Sequence, residues 1–514
     1  MHYALNKRGG VLKVNKSLES LLAGIKVQVS SGDMDVLVRG IEIDSRQVKA
    51  GDIFACVPGL NVDGHDFADA AIKLGAVALI VERFLPYPIP QIKVLNVRQE
   101  LGVLAAQVYD RPSDHLELVG VTGTNGKTTI IHLLEKIGTE AGKRVGLIGT
   151  LGASIVGKQL PGQRTTPEAC EIQRLLAEML EEKVSLVAME VSSHALDYGR
   201  VQGCEFDAAI FTNLTQDHLD YHKTMEGYFE AKTRLFSGLK GSKQPKLAIL
   251  NGDDAAFQAL SAISAAPVIS YGLQSNVDYR AEQVTVTADG IRYYASFRGT
   301  RQEICSQTPG IFNVYNTLAA FTWAIERGYD PQQVAGVLAE IPGVPGRFES
   351  IKLGQPFHVI VDYAHTPDGL ENVLRTAREF TTGRLLTVFG CGGDRDKGKR
   401  PLMGAVAAQW SDFVAVTSDN PRSEDPDQIL REILLGVTGV EHIALRDRQG
   451  AIKSVCRLAK PGDTVLIAGK GHESVQVIGS KVIPFDDREV ARLVLRGLGF
   501  ESLADQNSCS NSSG

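Results

Sequence analysis

No apolar run in this sequence approaches the roughly 18 residues that span a bilayer, and the basic stretch from Met1 to Lys16 has no apolar segment behind it of the kind an export signal carries. The expectation is a cytoplasmic protein with no membrane partner. A basic surplus is missing as well: 54 Lys and Arg stand against 60 Asp and Glu, giving a formal net charge of -6, and the cations are spread along the chain. That argues against a nucleic-acid footprint, so any affinity for phosphate must be local. The seven cysteines (Cys56, Cys170, Cys204, Cys305, Cys391, Cys456 and Cys509) are odd in number and show no Cys-x-x-Cys spacing. This argues against a disulfide framework or a zinc site and fits reduced thiols. Short-period repeats are absent too.

What is present is a chain of 514 residues, 43% apolar, long enough for about three domains. Residues 1–113 alternate short elements: Leu37 to Asp44 reads as a strand, Phe67 to Leu74 as a helix and Ala76 to Val81 as a strand. Polar and proline breakers from Tyr109 to Ser113 set the first boundary. Residues 114–344 run strand Leu116 to Val121, a helix after Lys127, strand Arg144 to Gly149, helix Glu171 to Lys183, strands Ser185 to Val191 and Asp207 to Asn213, and helix Tyr228 to Leu239. That alternation predicts a mostly parallel, doubly wound sheet. Ala281 to Arg298 alternates on both sides of Asp289 and Gly290 and reads as an appended hairpin. The Gly/Pro cluster from Ile341 to Arg347 marks the second boundary. Residues 345–500 form a Rossmann-like βα series, with strands Val359 to Tyr363, Leu385 to Phe389, Phe413 to Ser418 and Thr464 to Ala468, and helix Asp368 to Phe380. The polar end, 501–514, is predicted to be disordered. The fold class is therefore α/β, in three domains.

The most informative stretch is Gly-Thr-Asn-Gly-Lys-Thr-Thr over residues 123–129, where an apolar strand runs through glycines into a helix. Glycines let backbone amides close around phosphate oxygens, Lys127 can reach the β and γ phosphates, and the Thr128 hydroxyl can hold Mg²⁺. ATP is the first ligand to expect. The general phosphate-loop pattern asks for glycine at 121, where this chain has Val121, with Gly120 and Gly123 to either side. Glu190 lies where a strand runs out, at the carboxyl edge where such sheets bind ligands, and can hold Mg²⁺ opposite Thr128. His218 follows the next strand and comes to the same edge as a candidate metal ligand. Lys232, judged by helical spacing alone, reads as a surface lysine laid along apolar neighbours. Asn313 and Asn316 open a helix and either cap it or meet the nucleotide.

The narrower pattern Gly-Thr-Asn-Gly-Lys-Thr resembles the Mur ligase and folylpolyglutamate synthetase superfamily, whose members make amide bonds by activating a carboxylate with ATP. The folate branch has Gly-Lys-Gly-Ser where residues 126–129 here read Gly-Lys-Thr-Thr, so the muramyl-peptide branch fits better. The resemblance implies that Gly123, Thr124, Asn125, Gly126, Lys127, Thr128 and Thr129 bind ATP together with Asn316, Arg347 and Asp362. It further implies that Lys232 is carbamylated by CO₂ and joins Thr128, Glu190 and His218 as a ligand to Mg²⁺, with Lys127, Glu190, His218 and Lys232 as the catalytic set. The Asp44, Ser45, Arg46 loop would receive a UDP group, making the first segment a UDP-binding domain. Thr165, Thr166, Ser192 and Arg200 would contact the attached muramyl peptide; Tyr198 stands where some relatives carry glutamine.

Ser418 to Arg422 resembles a diaminopimelate-selecting motif, with Asp419, Asn420, Pro421 and Arg422 joined by Arg395, Gly469 and Glu473. The physical reason is that diaminopimelate differs from lysine by a second carboxylate, which a guanidinium fork from Arg422 or Arg395 can take through two parallel hydrogen bonds. The implied reaction joins meso-diaminopimelate to the D-glutamate γ-carboxylate of UDP-N-acetylmuramoyl-L-alanyl-D-glutamate, in a monomer whose partners are small molecules. A relative adding lysine would keep the ATP motifs without needing the paired arginines. A nucleotide-dependent switch would explain neither Lys232 nor the third-segment motifs.

Overall fold

The computed structural model describes residues 15–501 apart from 60, 61, 163, 242 and 244. The polar tail predicted to be disordered lies, from residue 502 on, outside the described residues, as does Cys509. Three sheets carry the architecture. The first has five strands in the order Val27–Ser31, Gln91–Val94, Ala78–Val81, Asp52–Ala55 and Gly40–Glu42, parallel except at its first pair. The strand expected from Leu37 to Asp44 is split into Leu37–Val38 and Gly40–Glu42, which pair in different sheets.

The central sheet has eleven strands. Its parallel heart places Glu117–Thr122 between Leu186–Glu190 and Ala208–Phe211, in a register that sets Glu190 against Val121 and Phe211 against Thr122. All three strands thus end at one edge, and the chain leaves the sheet there in opposite directions, which opens a crevice. Helices Lys127–Glu140 and Ile311–Glu326 fill one face of the sheet, while Ala169–Glu181 and Met225–Ser237 fill the other. The near-continuous apolar character of these strands follows from burial on both sides.

The hairpin expected across Asp289 and Gly290 is present, but it is part of a larger unit. It is a three-stranded antiparallel run, Tyr279–Thr287, Gly290–Phe297 and Thr300–Ser306, and it continues the central sheet through parallel pairing of Tyr271 with Tyr279. Tyr279 stacks on Phe297 at 5.2 Å, and both meet Phe321 edge-on. The run is therefore core-forming rather than appended. The third sheet has five parallel strands in the order His358–Asp362, Thr464–Ala468, Leu385–Phe389, Phe413–Thr417 and Glu441–Leu445, with Glu349–Ser350 antiparallel at its edge. Among the described residues, no helix is long and apolar enough to cross a membrane.

Candidate functional site

The phosphate loop leaves its strand at Thr122 and closes onto helix Lys127–Glu140. Gly126 has φ +88°, and a Cβ there would lie 2.5 Å from Asn316 Oδ1, so both backbone and neighbour demand glycine. The Lys127 ammonium donates to the carbonyls of Gly123 (2.8 Å) and Thr124 (2.7 Å), folding its charge into the loop. Desolvation lowers its pKa, against the opposing pull of Glu190 and Asp217. Arg347 Nη2 reaches across from the hinge to donate to Thr128 Oγ1 at 3.0 Å.

A cavity of about 340 Å³ beside the loop is lined by Asn125, Gly126, Thr129, Asn316, Arg347 and Asp362. Asn313 and Asn316 are not caps: the helix begins after Gly310, Asn313 Nδ2 donates to Pro309 O, and Asn316 Nδ2 donates to Asn313 Oδ1. Asp362 accepts from the amides of Phe348 and Ala364, both at 2.7 Å, so it ties the hinge to its strand while lining the cavity. Burial pushes its carboxyl pKa up, opposed by the Arg347 guanidinium.

Glu190 is 1% exposed, and its carboxylate accepts from the Thr150 amide (2.8 Å) and hydroxyl (3.0 Å). Around it Thr165 Oγ1 hydrogen-bonds to Thr150 Oγ1 at 3.1 Å, whose own hydrogen goes to Glu190, Thr166 Oγ1 donates to the Glu190 carbonyl at 2.7 Å, and the Ser192 amide donates back to Thr166. Arg200 donates to Thr166 O and pairs with Glu168 at 3.0 Å. Beyond this knot, Ser45 and its neighbours Asp44 and Arg46 line a cavity of about 880 Å³ whose far wall is Arg164, Pro167 and Glu168.

Lys232 is 1% exposed and so does not lie along the surface as its spacing suggests. Its amine donates to Gly123 O at 2.9 Å and sits 4.3 Å from the Tyr228 ring centroid. Burial holds its pKa well below the ordinary lysine range, and the nearby Lys127 charge adds to the effect. His218, at φ +55°, pairs with Asp217 and meets His194 edge-on at 4.7 Å. Desolvation lowers its pKa to about 4, against Asp217.

Among the described residues, no three His, Cys, Asp or Glu side chains converge as a metal cage. Mg²⁺ needs none: it binds through one or two carboxylates and takes its other oxygens from phosphates and water. The buried Glu190 carboxylate and the Thr128 hydroxyl fit that requirement. Lys232 fits only as a carbamate, since the unmodified group donates a hydrogen bond where a ligand must accept.

The third sheet brings its strand ends to a cavity of about 590 Å³ lined by Arg395, Asp419, Asn420, Arg422, Gly469 and Glu473, with Asp217 and His218 on the opposite wall. Arg422 has φ +54°; its amide donates to Val477 O, its carbonyl accepts from Gly479 N, and Nη1 donates to Gly393 O at 2.6 Å. Beneath the floor Arg448 and Asp487, each 0% exposed, form a pair at 2.6 Å, and Arg448 Nη2 donates to Ala468 O at 2.9 Å. Arg448→Met strands a buried carboxylate, so a loss of about 3–5 kcal/mol is expected in the denaturant transition of this domain; an unchanged midpoint would contradict the pairing. Gly346 lies against the loop after Gly469: a Cβ on it would be 2.1 Å from His472 N.

The chain matches the Mur ligase family catalytic domain over residues 37–109, the Mur ligase middle domain over 121–324 and the Mur ligase glutamate ligase domain over 346–471. It is 47% identical over 486 residues to the UDP-N-acetylmuramoyl-L-alanyl-D-glutamate--2,6-diaminopimelate ligase of Geobacillus thermodenitrificans (strain NG80-2), covering 94% of this chain and 99% of that protein. The chain belongs to the Mur ligase family. A protein of the same name from Bacillus velezensis (strain DSM 23117 / BGSC 10A6 / LMG 26770 / FZB42) is 47% identical across 93% of this chain and 98% of its own length. A solved structure of a ligase with that name aligns with TM-score 0.67 at 34% identity, covering 94% of this chain and 99% of that one.

The geometry of this Mur ligase also holds residues that sequence reasoning passed over. Asp368 Oδ2 accepts from Asn125 Nδ2 (3.0 Å) and Thr215 Oγ1 (2.9 Å), tying the third sheet's first helix to the phosphate loop. In the sequence it reads only as a first-turn acid after Pro367. Arg98 and Arg164 join Arg200, already expected at the site, on Glu168, and the Arg98 and Arg200 guanidiniums lie 4.8 and 5.4 Å from the Tyr198 ring centroid. No local motif marks that cluster.

Proposed function

We propose that this chain joins meso-diaminopimelate to the D-glutamate γ-carboxylate of UDP-N-acetylmuramoyl-L-alanyl-D-glutamate at the expense of ATP, acting as three units bounded near residues 113 and 344. The observation that carries the reading is that two arginines, Asn420 and Glu473 line one cavity whose opposite wall belongs to the phosphate-loop domain. The γ-carboxylate attacks the ATP γ-phosphorus, expelling ADP and forming an acyl phosphate. The free amine of diaminopimelate then attacks the acyl carbon, and the tetrahedral intermediate expels phosphate as the nitrogen loses a proton.

Within this scheme Lys127 and Arg347 neutralise phosphate oxygens, and Ser45, Thr165, Thr166, Ser192 and Arg200 hold the nucleotide-linked peptide. Arg422 and Arg395 take the distal carboxylate, with Asp419, Asn420, Pro421 and Gly469 shaping the wall and Glu473 receiving the distal ammonium. Mg²⁺ on Thr128, Glu190, His218 and the Lys232 carbamate would supply further neutralisation of the phosphoryl charge. The test is phosphate release with Mg-ATP and the UDP dipeptide, adding meso-diaminopimelate or L-lysine in parallel, with the product weighed by mass spectrometry. A tripeptide formed with diaminopimelate alone supports the reading; a lysine product, or none, contradicts it.

Carbamylation needs a neutral amine, and the lowering of the Lys232 pKa by burial favours that form. Above that pKa the amine is free to add CO₂, so occupancy rises as pH rises through it and falls on acidification. In ¹³C-bicarbonate a carbamate resonance is expected in the wild type and none in Lys232→Ala, whose turnover should drop about 100-fold or more. A wild type without the resonance would remove Lys232 from the ligand set.

A further inference from the structure

Lys470 plays no part in the reaction above, yet its side chain is 0% exposed. A buried ammonium is costly unless its hydrogens are well used. Gly469 at φ +116° and Gly471 at φ +52° flank it and turn the chain so that the side chain runs beneath the cavity floor. There Nζ donates to Glu473 Oε2 at 2.9 Å and to Asn420 Oδ1 at 3.2 Å. Asn420 Nδ2 donates to the same Glu473 oxygen at 2.8 Å, and the Val477 amide fixes the orientation of Asn420 by donating to Oδ1 at 2.9 Å. Two donors therefore share Oε2, while among the described residues no hydrogen bond engages Oε1. Asn420 and Glu473 line the cavity, whereas Lys470 is not among its lining residues.

We propose that Lys470 is a positioning residue that sets the preference for a diamino acid: from behind the pocket it locks Glu473 and Asn420 in one arrangement, leaving Glu473 Oε1 to receive the second ammonium of the substrate. The inference rests on the function proposed above. A carboxylate held on one oxygen is preorganised, so the incoming charge-assisted hydrogen bond need not first stop its rotation. Without Lys470, Glu473 keeps only the Asn420 amide and gains rotamers that point away from the ligand.

The test uses the full chain with Mg-ATP and the UDP dipeptide and compares kcat/KM for meso-diaminopimelate with that for 2-aminopimelate, which has both carboxylates but lacks the second amine. In Lys470→Met the preference for diaminopimelate is expected to fall about tenfold, the size of one charge-assisted hydrogen bond. The fall should sit mainly in KM for the amino acid, with KM for ATP and for the UDP dipeptide within about twofold of wild type, and Lys470→Gln, which keeps a donor of shorter reach, should fall between. Should Lys470→Met fail to show an ATP-induced thermal shift, Lys470→Gln carries the same comparison. An unchanged preference, even with lower activity on both amino acids, would mean that Lys470 only supports the fold. A wild type inert toward both amino acids would overturn the proposed function and this inference with it; an active wild type whose preference survives in the variants overturns the inference alone.

Discussion

Lys127→Ala is expected to lower phosphate release about 1000-fold or more while leaving the fold intact. The ammonium sits inside the loop on the Gly123 and Thr124 carbonyls, which are acceptors it can leave when phosphate oxygens offer negative charge. Its desolvated position makes each phosphate contact count for more than it would in water. Lys127→Arg keeps the charge but presents a planar fork where the loop accommodates a point, so it should recover little. Stopped assays of phosphate, with circular dichroism as the control on folding, decide the matter: near wild-type turnover in Lys127→Ala removes the loop from the chemistry.

Arg422→Ala should cost about 100-fold in kcat/KM for meso-diaminopimelate and little for L-lysine, because only the former brings a second carboxylate to be paired. The side chain is unusually well anchored for a loop residue. Its left-handed backbone is gripped on both sides by the Val477 carbonyl and the Gly479 amide, and Nη1 is tethered to Gly393 O. Arg395 has a weaker hold, through Nη1 on its neighbour's carbonyl, so Arg395→Ala is expected to be the milder variant. Equal losses for both amino acids in Arg422→Ala would dismiss the guanidinium fork as the selector.

The parts of this molecule that were legible in the sequence are those whose physics is local. Strands Leu385–Phe389 and Thr464–Ala468 fall where their apolar runs place them, and the phosphate loop announces itself through glycine, lysine and threonine at fixed spacing. Strands Gly152–Ile155, Lys158–Leu160 and Thr300–Ser306 escaped because they are short or partly polar, with no apolar run to mark them, although each pairs through a tight turn with its neighbour in sequence. Lys232 shows the limit most clearly. Its helical neighbours, Tyr228 one turn back among them, resemble those of any surface lysine, and it is the phosphate loop, bringing the Gly123 carbonyl from another element, that makes it a buried amine of lowered pKa. Asp368 was invisible for the same reason, its partners Asn125 and Thr215 coming from loops after other strands, and Lys470 in part, since Glu473 is three residues away but Asn420 arrives from the loop after another strand.

The contact between Gly346 and the loop that carries Glu473 has a consequence for timing. Arg347 follows Gly346, and the adjoining strand Glu349–Ser350 is zipped to His358–Asp362, so the guanidinium that grips the phosphate loop and the seat of the attacking amine belong to one rigid piece. Neither can advance without the other. Whatever displacement withdraws the arginine from the phosphate loop therefore also withdraws the pocket proposed for the amine, so the two are presented to the reacting groups as a unit.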